Sequence, residues 1–322
     1  MLNAEDFLKI INEGIKHLDF GNEPKNLYDP INYSLSVGGK RIRPVLCLLA
    51  CQACGGDYKN ALNAAYAIEI FHNFTLLHDD MMDNATLRRG KAVVHVKWNS
   101  NIALLSGDAM SVIAYKYISK TKNLVPVLDV FSDTALKICE GQQYDMDFET
   151  RTDVSEEEYI KMINLKTAVL IAASLKIGAL VADADFETAN NLYECGRNIG
   201  LAFQLQDDYL DSFGNAKIFG KKIGGDIVSN KKTYLLIKAL QISNKFTKEK
   251  LIKLLNQKDF DPEEKIKAVL KIYEELKIKK FSEELMNFYI AQADRYFDKL
   301  NINSNEAEIL REYLNSLKLR KY

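Results

Sequence analysis

Residues 65–83 read AYAIEIFHNFTLLHDDMMD, a mostly apolar stretch that runs straight into aspartates at 79, 80 and 83. Apolar residues on most sides point to a central helix. Asp79 and Asp83 stand at i and i+4, so they share a helix face about 6 Å apart along the axis. Like charges at that spacing repel, and lone carboxylates beside apolar neighbours are costly. A hard cation relieves both problems, and carboxylate oxygens suit Mg²⁺. An acidic helix end can equally be solvated, so this stretch alone leaves metal binding open. Residues 200–211, GLAFQLQDDYLD, repeat the pattern with Asp207 and Asp211 at i and i+4. Two such clusters can face one another across a cavity and hold several Mg²⁺ ions, with waters and phosphate oxygens completing each shell.

Outward from these stretches the chain keeps helical periodicity. The spacing predicts helices over 5–19, 26–37, 41–54, 58–83, 101–120, 124–148, 155–183, 186–212 and 230–244, with more in the C-terminal third. Ser155-Glu156-Glu157-Glu158 reads as a capping box, Gly55-Gly56 as a stop, and Asp261-Pro262-Glu263-Glu264 as a helix start. With only 5 prolines and 16 glycines, the chain has too few turn signals for a many-turned β architecture. The fold class is all-α. From about 245 the pattern is amphipathic, rich in Lys and Glu, and peripheral in character. No linker sets it apart, so residues 1–322 read as a single domain.

The 322 residues carry a formal net charge of -1, which gives no reason to expect nucleic acid or an acidic membrane surface as partner. The N-terminus lacks the regions of a secretion signal. The longest apolar run, Thr167 to Ala182, is about 16 residues, contains Lys176, and reads as a buried helix rather than a membrane span. A cytosolic location follows. Cys51 and Cys54 form a CxxC, but with Cys47 they fall on one helical face among Leu and Ala. No second CxxC or nearby histidine completes a zinc site, so these thiols read as core.

Basic residues follow each acidic motif: Arg88-Arg89-Gly90-Lys91 after the first, and Lys221, Lys222, Lys231 and Lys232 after the second. Lys40, Arg41 and Arg43 stand in GGKRIRP, residues 38–44. Such groups are natural partners of phosphate oxygens, although each cluster alone could be a solvated face. Together with the carboxylate pairs they describe a site for a metal-bound polyphosphate.

The blocks GGKRIRP, FHNFTLLHDDMMDNATLRRGK, LKTAVL, FQLQDDYLD and FGKKIGGDIVSNKK stand in order between residues 38 and 232. In that order and spacing they resemble the trans-prenyl diphosphate synthase family, of farnesyl and geranylgeranyl diphosphate synthase type. The resemblance implies a helical bundle around a central cavity, of isoprenoid synthase type, and usually a homodimer. It implies that Asp79, Asp80, Asp83, Asp207, Asp208 and Asp211 bind Mg²⁺, three ions per site. Lys40, Arg43, His72 and Arg89 would hold isopentenyl diphosphate. Arg88, Lys166, Lys221 and Lys231 would assist the metal-bound allylic diphosphate, while Thr167 and Gln204 line the reacting carbons. His72 by itself could be a satisfied core histidine, but it lies two turns before Asp79 on the same face. His78 and His95 lack such support and read as structural. No Ser-His or Cys-His grouping demands a protein nucleophile.

The resemblance also bears on product length. Phe74, five residues before Asp79, and its neighbour Thr75 would lie on the wall of the product tunnel. A phenyl there should block a growing tail, because extending past it means overpacking. Products of 15 to 20 carbons follow, tilted toward 20 because the first motif lacks the two-residue insertion of bacterial farnesyl synthases. Three positions depart from the usual pattern: Lys222 and Ala92 replace prolines, and Asn230 replaces a glycine. A class I terpene cyclase would carry a second motif mixing Asn/Asp, Ser/Thr and Glu in place of DDYLD, and would lack GGKR. A non-catalytic subunit of a heteromeric synthase would have lost aspartates from one motif, and both are intact here.

Overall fold

A computed structural model describes residues 2–214, 223–257, 259–302 and 304–318. In chain order the helices are α1 (Ala4–Lys16), α2 (Lys25–Ser36), α3 (Ile42–Ala53), α4 (Tyr58–Met82), α5 (Val94–Lys97) and α6 (Ser100–Ile118). They continue with α7 (Leu124–Thr150), α8 (Glu156–Ile163), a π-helical turn (Asn164–Ala168), α9 (Val169–Val181) and α10 (Phe186–Phe213). The remainder are α11 (Gly225–Val228), α12 (Tyr234–Ile242), α13 (Lys245–Asn256), α14 (Pro262–Glu275), α15 (Ile278–Phe297) and α16 (Ser304–Lys318). Among the described residues the only strands are β1 (Leu87–Arg88) and β2 (Lys91–Ala92), a two-stranded hairpin between α4 and α5. The all-α expectation holds.

The described residues form two compact units. The first lies within Met1–Asp133, Ala173–Tyr193 and Lys299–Tyr313, the second within Thr134–Ala172, Glu194–Asp298 and Leu314–Tyr322.

In the first unit α4 packs against both α3 and α6. Its small residues Ala61, Ala64, Ala65 and Ala67 are buried along with Ile68, Ile70 and Phe71, so the helix has little exposed face. One charge in this core is deliberate in its placement. Glu69 of α4 is 3% exposed, and its carboxylate accepts from Arg41 Nη1 at 2.5 Å and from Asn73 Nδ2 at 2.9 Å. Arg41 sits in the left-handed region (φ 47°) just before α3 and also donates to the carbonyl of Leu35. The pair therefore ties the GGKR loop to the middle of α4. Cys47 and Cys51 are fully buried on α3, and burial pushes the Cys51 and Cys54 thiols up to about 12. Protonated, desolvated thiols of this kind are core, as expected.

In the second unit, α7, α8, the π turn, α10 and α12 share a cluster of Phe148, Tyr159, Met162, Ile163, Ala168, Leu201, Leu205, Tyr234 and Ile237. Helices α11 to α14 build another around Ile227, Leu235, Leu251, Val269, Ile272 and Tyr273. The segment after 245 thus builds its core jointly with α11 and α12.

Local signals set most boundaries. Ser155 Oγ accepts from the Glu158 amide at 3.2 Å and Glu158 returns a bond to the Ser155 amide at 2.9 Å, the capping box read from the sequence. Asp261 caps α14 through the amides of Glu263 and Glu264. The helix expected at 5–19 ends at Lys16, and two other differences are larger. The stretch 155–183 is not one uniform helix: a π turn at Asn164–Ala168 widens it where it meets α7. The helix expected at 230–244 begins at Tyr234, because Asn230 adopts φ 57° and Thr233 takes the cap position. The continuous stretch Glu156–Val181 is long and apolar enough to cross a membrane by length and composition. However, 78% of its most apolar window is buried within the protein, which marks a core helix.

Removing one partner of a buried ion pair leaves the other uncompensated, at a cost of about 3–5 kcal/mol. Glu69→Ala is expected to lose that much in urea unfolding followed by circular dichroism. A loss no larger than that of an exposed pair, about 1 kcal/mol, would refute the role given to this pair.

Candidate active site

Each acidic motif stands near the C-terminal end of a long helix. Asp79 and Asp80 lie within α4, and Asp83 is its C-cap, its amide donating to the Asp79 carbonyl at 2.9 Å. Asp207, Asp208 and Asp211 lie in the last two turns of α10. A helix C-terminus carries partial negative charge, so carboxylates there are electrostatically disfavoured unless a cation or donor attends them.

In both motifs the second aspartate is the buried one. Asp80 is 6% exposed and takes a bidentate bond from Arg88: Nε lies 2.9 Å from each carboxylate oxygen, and Nη2 lies 2.8 Å from Oδ1. Asp208 is 3% exposed and accepts from the Tyr159 hydroxyl at 2.5 Å and from Gln204 Nε2 at 3.0 Å. Burial raises its pKa, opposed by the Lys231 charge and by these two hydrogen bonds. Burial and the adjacent Asp208 hold the Tyr159 phenol well above its usual range, so it remains a donor.

The basic residues of the first unit cluster by way of two tight turns. Arg89 (φ 52°) and Gly90 (φ 74°) form the two-residue hairpin turn between β1 and β2, both in the left-handed region that such turns require. This turn aims Arg89 back at the GGKR loop. Gly39 is what admits it: a Cβ on Gly39 would stand 2.6–2.8 Å from the Arg89 guanidinium. Arg43 on α3 donates through Nη1 to His72 Nε2 at 3.1 Å. Arginine can only donate, so Nε2 accepts and the imidazole is neutral with its proton on Nδ1. Burial first, then Arg43, Arg89, Arg88 and Arg41, hold His72 well below its usual pKa. Lys40 is exposed on the loop. The structure thus brings Arg43, His72, Arg88 and Arg89 near one another, with Arg88 engaged on Asp80.

Phe74 packs edge-on between Phe71 and His78, with ring centroids 5.2 and 4.8 Å away. His78 fits against Gly107 of α6, where a Cβ would come within 2.2 Å of Nε2. Its ring bonds the Leu104 carbonyl at 3.2 Å, a structural role. The Thr75 hydroxyl donates back to the His72 carbonyl at 2.9 Å.

In the second unit the π turn carries Lys166 and Thr167. Gly141 of α7 is the contact point: a Cβ there would meet the Lys166 backbone nitrogen at 2.3 Å. Lys166 Nζ bonds Asp145 of α7 at 2.6 Å, and Thr167 Oγ1 donates to Gln204 Oε1 at 3.0 Å. Asp211 accepts from the Asp226 amide at 2.9 Å. Lys231 is exposed, and Lys221 lies outside the described residues. Sequence reading missed Gly141, Asp145 and Tyr159. Gly141 and Asp145 both stand in EGQQYD, residues 140–145, whose acidic residue sits one helical turn after a glycine; Tyr159 carried no local signal.

Among the described residues, no three His, Cys, Asp or Glu side chains cluster closely enough to enclose an ion by themselves. Asp79, Asp83, Asp207 and Asp211 are less buried than Asp80 and Asp208, and their carboxylate oxygens are hard donors of the kind Mg²⁺ takes, with water and phosphate oxygens filling its shell.

Residues 24–273 match the polyprenyl synthetase family. This chain belongs to that family. It is 45% identical over 222 residues to the geranylgeranyl diphosphate synthase of Methanosarcina mazei, covering 68% of each chain. It is 35% identical over 314 residues to the corresponding synthase of Sulfolobus acidocaldarius, covering 94% of this chain and 92% of that one. A crystal structure of a geranylgeranyl pyrophosphate synthase superposes with a TM-score of 0.95 at 41% identity, covering 100% of both chains. Polyprenyl synthetase membership carries the all-α isoprenoid synthase fold and trans-prenyltransferase activity, and the family generally uses Mg²⁺. It also sets aside the terpene cyclase alternative.

The neutral His72 ring has a pH consequence. As pH falls, the unfolded chain takes up this proton first, near pH 6.5 (about). The contribution to stability is therefore complete above that pH and declines below it, toward the depressed folded value. A ¹⁵N-histidine NMR titration should find His72 still the neutral Nδ1–H form at pH 6. A ring that titrates near the ordinary value would contradict the arginine environment described.

Proposed function

We propose that this protein condenses an allylic diphosphate with isopentenyl diphosphate and releases a short trans-prenyl diphosphate, geranylgeranyl ahead of farnesyl. The observation that carries the reading is the acidic last turn on both α4 and α10, each anchored through its second aspartate. The relatives named above support the twenty-carbon product.

In this reading Asp79, Asp83, Asp207 and Asp211 hold Mg²⁺, which supplies positive charge to the departing diphosphate. The family resemblance implies three ions per site. Asp80 and Asp208 orient the acidic turns through their protein partners rather than presenting both oxygens to metal. Lys166 and Lys231, with Arg88, add fixed positive charge where the leaving group develops its own, an effect often dominant in catalysis. Arg43, Arg89, Lys40 and the neutral His72 ring bind isopentenyl diphosphate. Thr167 and Gln204 line the reacting carbons. The allylic carbon becomes cation-like, the double bond of isopentenyl diphosphate attacks it, and the lost proton passes to the released diphosphate. Phe74, backed by the Phe71 and His78 rings, closes the product tunnel.

The apolar residues left on the surface support a homodimer. Helix α6 exposes Leu104, Leu105 and Val112, the last at 69%, and the start of α7 exposes Val125 at 78% along with Leu128. Scattered exposed aliphatics are ordinary, but this many on neighbouring segments suits a second copy.

Incubation with Mg²⁺, isopentenyl diphosphate and primers of several lengths, followed by chromatography, should give mainly the twenty-carbon product. Asp79→Ala and Asp207→Ala should each cut turnover by orders of magnitude, and Phe74→Ala should lengthen the product. Near-normal rates in either aspartate variant would count against its role, and an unchanged product against the tunnel floor. Sedimentation should find a dimer that Leu105→Glu dissociates; a monomeric native chain would remove the dimer.

A further inference from the structure

Lys265 of α14 is 2% exposed, which is unusual for a residue that normally buries its stem and keeps its ammonium in water. Its Nζ donates to Asn230 Oδ1 at 2.7 Å, stands 3.5 Å from the Val228 carbonyl, and lies 4.1 Å from the centre of the Phe260 ring. An aliphatic side chain would fill this position without the cost of desolvating a charge. The ammonium is therefore placed for its bonds.

Those bonds converge on one residue. Asn230 adopts φ 57°, a conformation that glycine and asparagine accept and most residues resist. Where the family pattern has glycine, this chain gains an amide, and both ends of it are used. Oδ1 receives Lys265, and Nδ2 donates to the Leu255 carbonyl at the end of α13 at 3.0 Å. The Asn230 carbonyl in turn accepts from Lys232 Nζ at 3.2 Å. Two lysines follow Asn230, and they have different surroundings. Lys232 is folded back and half-buried, whereas Lys231 is exposed with its amide bonded to the Asp226 carbonyl at 2.9 Å.

We propose that Lys265 is a positioning residue that acts through the Asn230 side chain to fix the backbone presenting Lys231 to the allylic diphosphate. The proposal rests on the reading of Lys231 given above. A lysine is a flexible point charge, and ordering it on binding costs conformational entropy. Pinning its backbone to α13 and α14 reduces that cost before substrate arrives. The effect belongs in the affinity for the allylic substrate, with isopentenyl diphosphate untouched.

The test uses Lys265→Met, which keeps the apolar stem, Asn230→Gly, which keeps the left-handed backbone, their double variant, and Lys231→Ala as reference. Steady-state kinetics with farnesyl diphosphate as primer would be read beside thermal unfolding of each variant. Lys265→Met and Asn230→Gly should each raise KM for farnesyl diphosphate about tenfold and leave KM for isopentenyl diphosphate unchanged. The double variant should be no worse than either single one, because both remove the same clamp. Lowered Tm with unchanged KM would overturn the proposal and leave Lys265 a packing residue; so would single effects that multiply in the double. If Lys231→Ala is silent while the clamp variants still raise KM, the reading of Lys231 fails and the loop acts through another group. If Lys231→Ala raises KM and the clamp variants do not, the clamp alone fails.

Discussion

The rest of both acidic motifs depends on the burial of one carboxylate in each. Asp80 and Asp208 are withdrawn from water, and a buried carboxyl group is costly unless its oxygens meet hydrogen-bond donors. Arg88 supplies them to Asp80, and Tyr159 with Gln204 supplies them to Asp208. These bonds hold the last turns of α4 and α10 in one orientation. The first and third aspartates of each motif then stand on the more accessible side of that turn, at the negative end of a helix dipole. In the proposed function a divalent cation occupies this surface and the diphosphate reaches it only through that cation.

The same logic extends outward through hydrogen bonds with only one sensible polarity. Gln204 turns its amide nitrogen toward Asp208 and its oxygen toward Thr167. Thr167 therefore donates to Gln204, and its lone pairs are directed elsewhere. In the first unit Arg43 can only donate, which makes His72 a neutral acceptor. Fixed groups with fixed polarity need little reorganisation when charge develops nearby. Close backbone approach makes this possible at two glycines: Gly39 beside the Arg89 guanidinium, and Gly141 beside the π turn that carries Lys166.

Much of the fold was legible because helices are local. The 3.6-residue periodicity located most of them within a residue or two, and the boxes at Ser155 and Asp261 are read from adjacent residues. The two larger differences have non-local or conformational causes. The π turn at 164–168 reflects the meeting with Gly141, more than twenty positions earlier. The late start of α12 follows from Asn230, whose left-handed backbone is supported by Lys265 and Leu255 from later helices. Likewise Glu69 reads as one polar residue in an apolar run until Arg41 is placed beside it. Tyr159 and Asp145 carry no sign of their partners in their own neighbourhoods.

From its residues alone, this chain declared an all-helical fold and two acidic helix ends attended by basic clusters, and with them its family. Each of those rests on spacing within a turn or two, which sequence records directly. Only the tertiary structure decided which aspartate of each motif is buried, which lysine after Asn230 reaches solvent, and which ring proton His72 carries. Those outcomes depend on burial and on partners brought together from distant positions, and desolvation has no counterpart in the linear order of residues.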